Sequence, residues 1–137
     1  MKYLVMVLGT QADYEAMRGN ASATSPVWTE KDMTAMMAHM GEINNDLAES
    51  GELVDANGLA EPAHVRHVSA GKDGRPVITD GPYGETKEVL AGYWVLDCAS
   101  LDRVTEIAAR VAACPQPDGV PEHPVVIQPI LGTGGDV

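Results

Sequence analysis

The chain has 137 residues, with nine Lys plus Arg against twenty Asp plus Glu and a formal charge of −11. That length suits one domain with a single core, and the charge argues against nucleic acid or an anionic membrane surface as partner, because both would repel it. No apolar run approaches the roughly 20 residues of a membrane-spanning helix, so a cytoplasmic location is expected.

Residues 2–8 form a nearly continuous apolar run, which predicts a central strand covered on both faces and ended by Gly9. Residues 10–28 show no sustained period and read as a long loop with a short helical turn near residues 13–17; a loop of this length is either a lid or a mobile insertion. Thr29 and Asp32 have capping-box spacing, so a helix begins there. Met33, Met36, Met37, Met40, Ile43 and Leu47 then recur at helical spacing until Gly51 supplies a stop. This methionine stripe is either core or an adaptable ligand surface.

Residues 53–59 and 64–70 read as strands, and Asp73-Gly74 as the turn of a hairpin that pairs the second of them with residues 75–79. A further strand covers residues 92–97. Ser100 caps a second amphipathic helix with Leu101, Val104, Ile107, Ala108 and Val111 on its apolar stripe, ended by Pro115. After a Pro-rich connection, residues 125–130 form the last strand. This gives a single domain over residues 1–131 and a flexible tail at 132–137.

The order β, α, β, inserted hairpin, β, α, β is the split βαβ plan of an α+β, ferredoxin-like fold. Two helices cover only one face of such a sheet. A second copy packed on the other face would shield its apolar residues, so a homodimer is expected.

Cys98 and Cys114 lack CxxC or zinc spacing and suit a reducing compartment as small hydrophobes. His64 and His67 point to opposite faces of one strand and His123 sits in the Pro-rich connection, so no metal site is expected, and no cofactor. His39 lies at the margin of the methionine stripe, where a neutral imidazole could act as a general base or could simply be bonded to structure. Asp80 ends a strand, where it could orient His39 or cap the following turn. Glu85 and Lys87 could line a cleft mouth, whereas Glu88 fits a solvated ion pair.

Val77-Ile78-Thr79-Asp80-Gly81-Pro82-Tyr83-Gly84-Glu85-Thr86-Lys87-Glu88, followed by Gly92-Tyr93-Trp94, resembles the DGPF-domain proteins of the YCII-related family, with Tyr83 in place of the motif's Phe. The resemblance extends over residues 1–9, 33–59 and 101–115. It implies a ferredoxin-like dimeric α/β-barrel and, from the family's gene neighbourhoods, an extracytoplasmic-function sigma factor as a partner. The smaller family members resemble muconolactone-isomerase-type enzymes, which implies a His on the first long helix paired with an Asp before a Pro after the second. His39 matches the first position, but Cys114 stands before Pro115 where the Asp would be.

Two functions follow from these expectations. One is a small-molecule-binding protein with His39 and Asp80 as catalytic residues of a cofactor-independent isomerase or lyase, and Met36, Met40, Tyr83, Glu85 and Lys87 as ligand contacts. The other is a non-catalytic regulatory module acting with a sigma factor.

Overall fold

The computed structural model describes residues 1–80 and 87–132, with the backbone alone at Asp80. Strand β1 (Lys2–Gly9) leads to a short helix α1 (Gln11–Met17) and then to the long helix α2 (Glu30–Ser50). Strands β2 (Leu53–Gly58), β3 (Arg66–Ala70), β4 (Pro76–Asp80) and β5 (Val89–Asp97) follow, then α3 (Leu101–Ala112) and β6 (Val126–Pro129). Four strands form an antiparallel sheet in the order β2-β5-β1-β6, while β3 and β4 pair as a separate hairpin. This is an α+β arrangement compatible with the ferredoxin-like plan, with the hairpin inserted before β5.

The local signals act where the sequence places them. Thr29 accepts from the Asp32 N–H at 3.1 Å and Asp32 reaches back to the Thr29 N–H at 2.9 Å, satisfying two donors that the first turn of α2 leaves free. Gly51 closes that helix in the left-handed conformation, with φ of 78°, where a side chain would strain the backbone. In the hairpin Gly74 has φ of 80°, and the Gly71 N–H donates to Arg75 O at 2.7 Å.

The helical turn expected near residues 13–17 is helix α1, which starts earlier, at Gln11, behind a capping box of Thr10 and Asp13. Other expectations need correction. Met37 and Leu101, placed on the apolar stripes of their helices, are 64% and 56% exposed. The strand expected from His64 starts at Arg66, because Pro62–His64 forms a 3-10 turn in which the Val65 N–H donates to Pro62 O. Strand β1 is central, but its burial alternates: Tyr3 and Val5 are in the core while Leu4, Met6 and Leu8 are only half-buried.

The core lies between the helices and one face of the sheet. Tyr3, Val5, Trp94 and Leu96 meet Ile43 and Leu47 of α2 and Val104, Ile107, Ala108 and Val111 of α3. The opposite face presents Leu4, Met6, Val95 and Val126, which stand outside that core and are half-buried. Among the described residues, no helix is long and apolar enough to cross a membrane.

Candidate functional site

Strand β1 ends in a bulge against β5, where the register slips between Val7 and Leu8. Gly9 and Gly92 let their neighbours approach closely at this end of the sheet, where a Cβ on Gly92 would sit 3.3 Å from Asn57 O. A Cβ on Gly9 would sit 3.2 Å from that of Ala91. Helix α1 packs across this end: the Tyr14 hydroxyl donates to Leu59 O at 3.0 Å, and Gln11 accepts from the Ala63 N–H at 2.9 Å. The chain then returns past Trp28, whose backbone N–H donates to Ala16 O at 3.1 Å, which holds this residue beside α1.

A cavity of about 570 Å³ lies here between α1, α2, the sheet end and the segment that follows α3. That volume is within the usual range of roughly 300–1,000 Å³ for small-molecule sites. Its wall is mainly apolar, with Met17, Trp28, Met36, Met40, Trp94 and Val125 contributing. No Lys or Arg is among its described lining residues.

Among the polar lining residues, Asp13 and His123 form with Glu88 a cluster assembled from three distant segments. His123 Nε2 lies 2.7 Å from Asp13 Oδ2, and its Nδ1 lies 2.9 Å from Glu88 Oε1. Both ring nitrogens face carboxyl oxygens, and ionised carboxylates only accept, so the arrangement favours the doubly protonated imidazolium. Burial, the largest single influence, favours the neutral ring, but the hydrogen bonds and charges of Glu88 and Asp13 together outweigh it and raise the His123 pKa above 6.5. His123 and Asp13 are only 14% and 15% exposed, whereas Glu88 is 45% exposed.

Asp13 Oδ2 also accepts from the Thr10 N–H at 2.9 Å, so one oxygen carries both the cap and the imidazolium. The other oxygen, Oδ1, is buried without a partner. So is the indole Nε1 of Trp28. Trp94, by contrast, donates its indole N–H to Asn44 Oδ1 at 2.7 Å.

The residues singled out in the sequence fall in different places. Met36 and Met40 line the cavity. His39 is not among the lining residues: its Nε2 lies 2.8 Å from Arg110 O, one of the carbonyls that the last turn of α3 leaves without a helical partner. The bond joins α2 to α3, and the carbonyl requires that Nε2 donate. Asp80 is the last residue of β4, with its Cα opposite that of Arg66. Its side chain lies outside the described residues, as do Tyr83 and Glu85. Lys87 is exposed and is not among the lining residues. Among the described residues no group of His, Cys, Asp and Glu could hold a metal ion.

Asp13, Trp28, Glu88 and His123 were not expected as a site. Glu88 does form an ion pair, with His123, and Thr10-x-x-Asp13 repeats the spacing of Thr29-x-x-Asp32, a signal that would have located α1.

This architecture, a split βαβ sheet with an inserted hairpin and a cavity beneath its first long helix, has a family. The chain belongs to the YCII-related family, whose domain model matches residues 1–127. It is also similar to an uncharacterized protein of Rhizobium meliloti, 29% identical over 98 residues that cover 69% of this chain and 76% of that protein.

Proposed function

We propose that this protein binds a small organic molecule in the cavity between α1, α2 and the sheet end. The observation that carries the reading is a mainly apolar, half-open cavity of about 570 Å³ with one Asp–His pair in its wall. Apolar walls supply affinity, and a few placed polar groups orient the ligand. Asp13 holds an acceptor against an imidazolium, an arrangement suited to moving a proton to or from a bound molecule without a cofactor. An isomerase or lyase of this kind would use Asp13 and His123 as its acid–base pair.

The functional unit in this reading is a homodimer formed through the open sheet face. Leu4, Met6, Val95 and Val126 are apolar and half-buried there within a single copy, and a second sheet would cover them.

A thermal-shift screen of small fragments tests the site. Hits on the wild type should be lost in Met36→Trp, which fills the cavity, and kept in His39→Ala. Hits lost in His39→Ala but kept in Met36→Trp would move the site to His39 and overturn this reading.

A further inference from the structure

Among the described residues, two buried side-chain polar atoms have no hydrogen-bond partner, Asp13 Oδ1 and Trp28 Nε1. Both belong to side chains that line the same cavity. Leaving such an atom unpaired costs about 1–3 kcal/mol, and most buried polar groups avoid it. Neither atom is accessible to solvent, so water does not repay that cost.

The two atoms differ in what they want. Oδ1 is an acceptor, because Thr10 N–H and His123 Nε2 already engage the other oxygen of the carboxylate. The indole nitrogen can only donate. A complementary molecule therefore offers one O–H or N–H donor and one acceptor. Both atoms are closed to solvent as they stand, so a ligand reaches them only when the side chain turns toward the cavity that it lines.

Charge narrows the class further. No Lys or Arg stands among the described lining residues, and His123, which does, is already shared by Asp13 and Glu88. A carboxylate or phosphate would be buried beside Asp13 with no counter-ion of its own, which is strongly disfavoured. The rest of the wall, with Trp28, Trp94, Met36 and Met40, suits a flat apolar body.

We infer that the ligand is an uncharged hydroxylated or N–H-bearing ring compound, with its donor on Asp13 Oδ1 and an acceptor on the Trp28 indole N–H. This rests on the cavity being the ligand site.

Calorimetric titration of the intact protein with 2-naphthol, 2-methoxynaphthalene and 2-naphthoate tests it. The first has the donor, the second lacks it and the third carries a charge. A hydrogen bond to a charged group predicts that wild type binds 2-naphthol at least about tenfold tighter than either of the others. In Asp13→Asn the Thr10 N–H and His123 both claim the single amide oxygen, which turns the amide NH2 toward the former Oδ1 position. The preference for the donor should then fall below about twofold.

Trp28→Phe keeps a ring but removes the N–H, and should weaken both naphthol and its ether by a similar factor of about three or more. It provides a second reading if Asp13→Asn does not fold. Equal or tighter binding of the ether or the carboxylate by wild type would overturn the inference while leaving the cavity as a site. Binding of none of the three would also overturn it, and the fragment screen then decides separately whether the cavity binds anything.

Discussion

His123 Nε2 and Asp13 Oδ2, 110 positions apart in the chain, lie 2.7 Å from each other in the cavity wall. The pair fastens the segment after α3 to α1. It holds a proton between two carboxylates in a mainly apolar setting.

The pH dependence of that fastening has a definite sign. The His123 pKa is raised above its ordinary 6.5, so its contribution is fully present below 6.5 and is lost as pH rises through the folded value. The wild type should therefore lose more thermal stability between neutral and alkaline pH than His123→Asn. Proton NMR titration should place the His123 ring above 6.5. A value below 6.5 would contradict the two-carboxylate geometry.

A second ion pair works in the opposite pH range. Arg103 donates from Nε and Nη2 to the two oxygens of Glu52 at 2.9 and 2.7 Å, tying α3 to the turn before β2. The paired guanidinium, ahead of the opposing effect of burial, holds the Glu52 carboxyl at about 2 against an ordinary 4.5. That stabilisation is present above 4.5 and fades as pH falls from 4.5 towards 2. Glu52→Gln should cost about 1.5–3 kcal/mol in chemical denaturation near neutral pH. The deficit should shrink in acid, and a constant deficit down to pH 2 would contradict the assignment.

His39 separates structure from chemistry. Its bond to Arg110 O satisfies an orphan carbonyl at the end of α3, so His39→Ala should lower stability by about 0.5–1.5 kcal/mol. Fragment affinity should be unchanged within about twofold, since His39 does not line the cavity. Unchanged stability with lost binding would return it to the site.

The open sheet face predicts the oligomeric state. Sedimentation at micromolar concentration should give a dimer for wild type, and Met6→Glu with Val95→Glu should give a monomer, because a second sheet would have to desolvate both carboxylates. A wild-type monomer would contradict the proposal.

Much of the fold was legible because it is encoded locally. Thr29 with Asp32, the stripe through Ile43 and Leu47, Gly51 and Asp73-Gly74 each act within a few residues, and each appears where its spacing places it. The site was less legible because Asp13, Trp28, Glu88 and His123 come together only when α1 and the segment after α3 close on the bulged end of β1 and β5. No short-range period links four such positions. Met36 and Met40 were visible because they share the helical stripe with the core, but the stripe alone does not distinguish wall from core. His39 was conspicuous by residue type, yet the Arg110 carbonyl that engages it is 71 positions away.

The most direct test uses the two tryptophans, since both line the cavity and each gives one indole N–H signal. In a nitrogen–proton correlation spectrum, a fragment that binds should shift the unpartnered Trp28 indole signal in a saturable, dose-dependent way, and more than that of Trp94, which is held by Asn44. Fragments that raise the melting temperature yet leave both indole signals in place would contradict the cavity as the functional site.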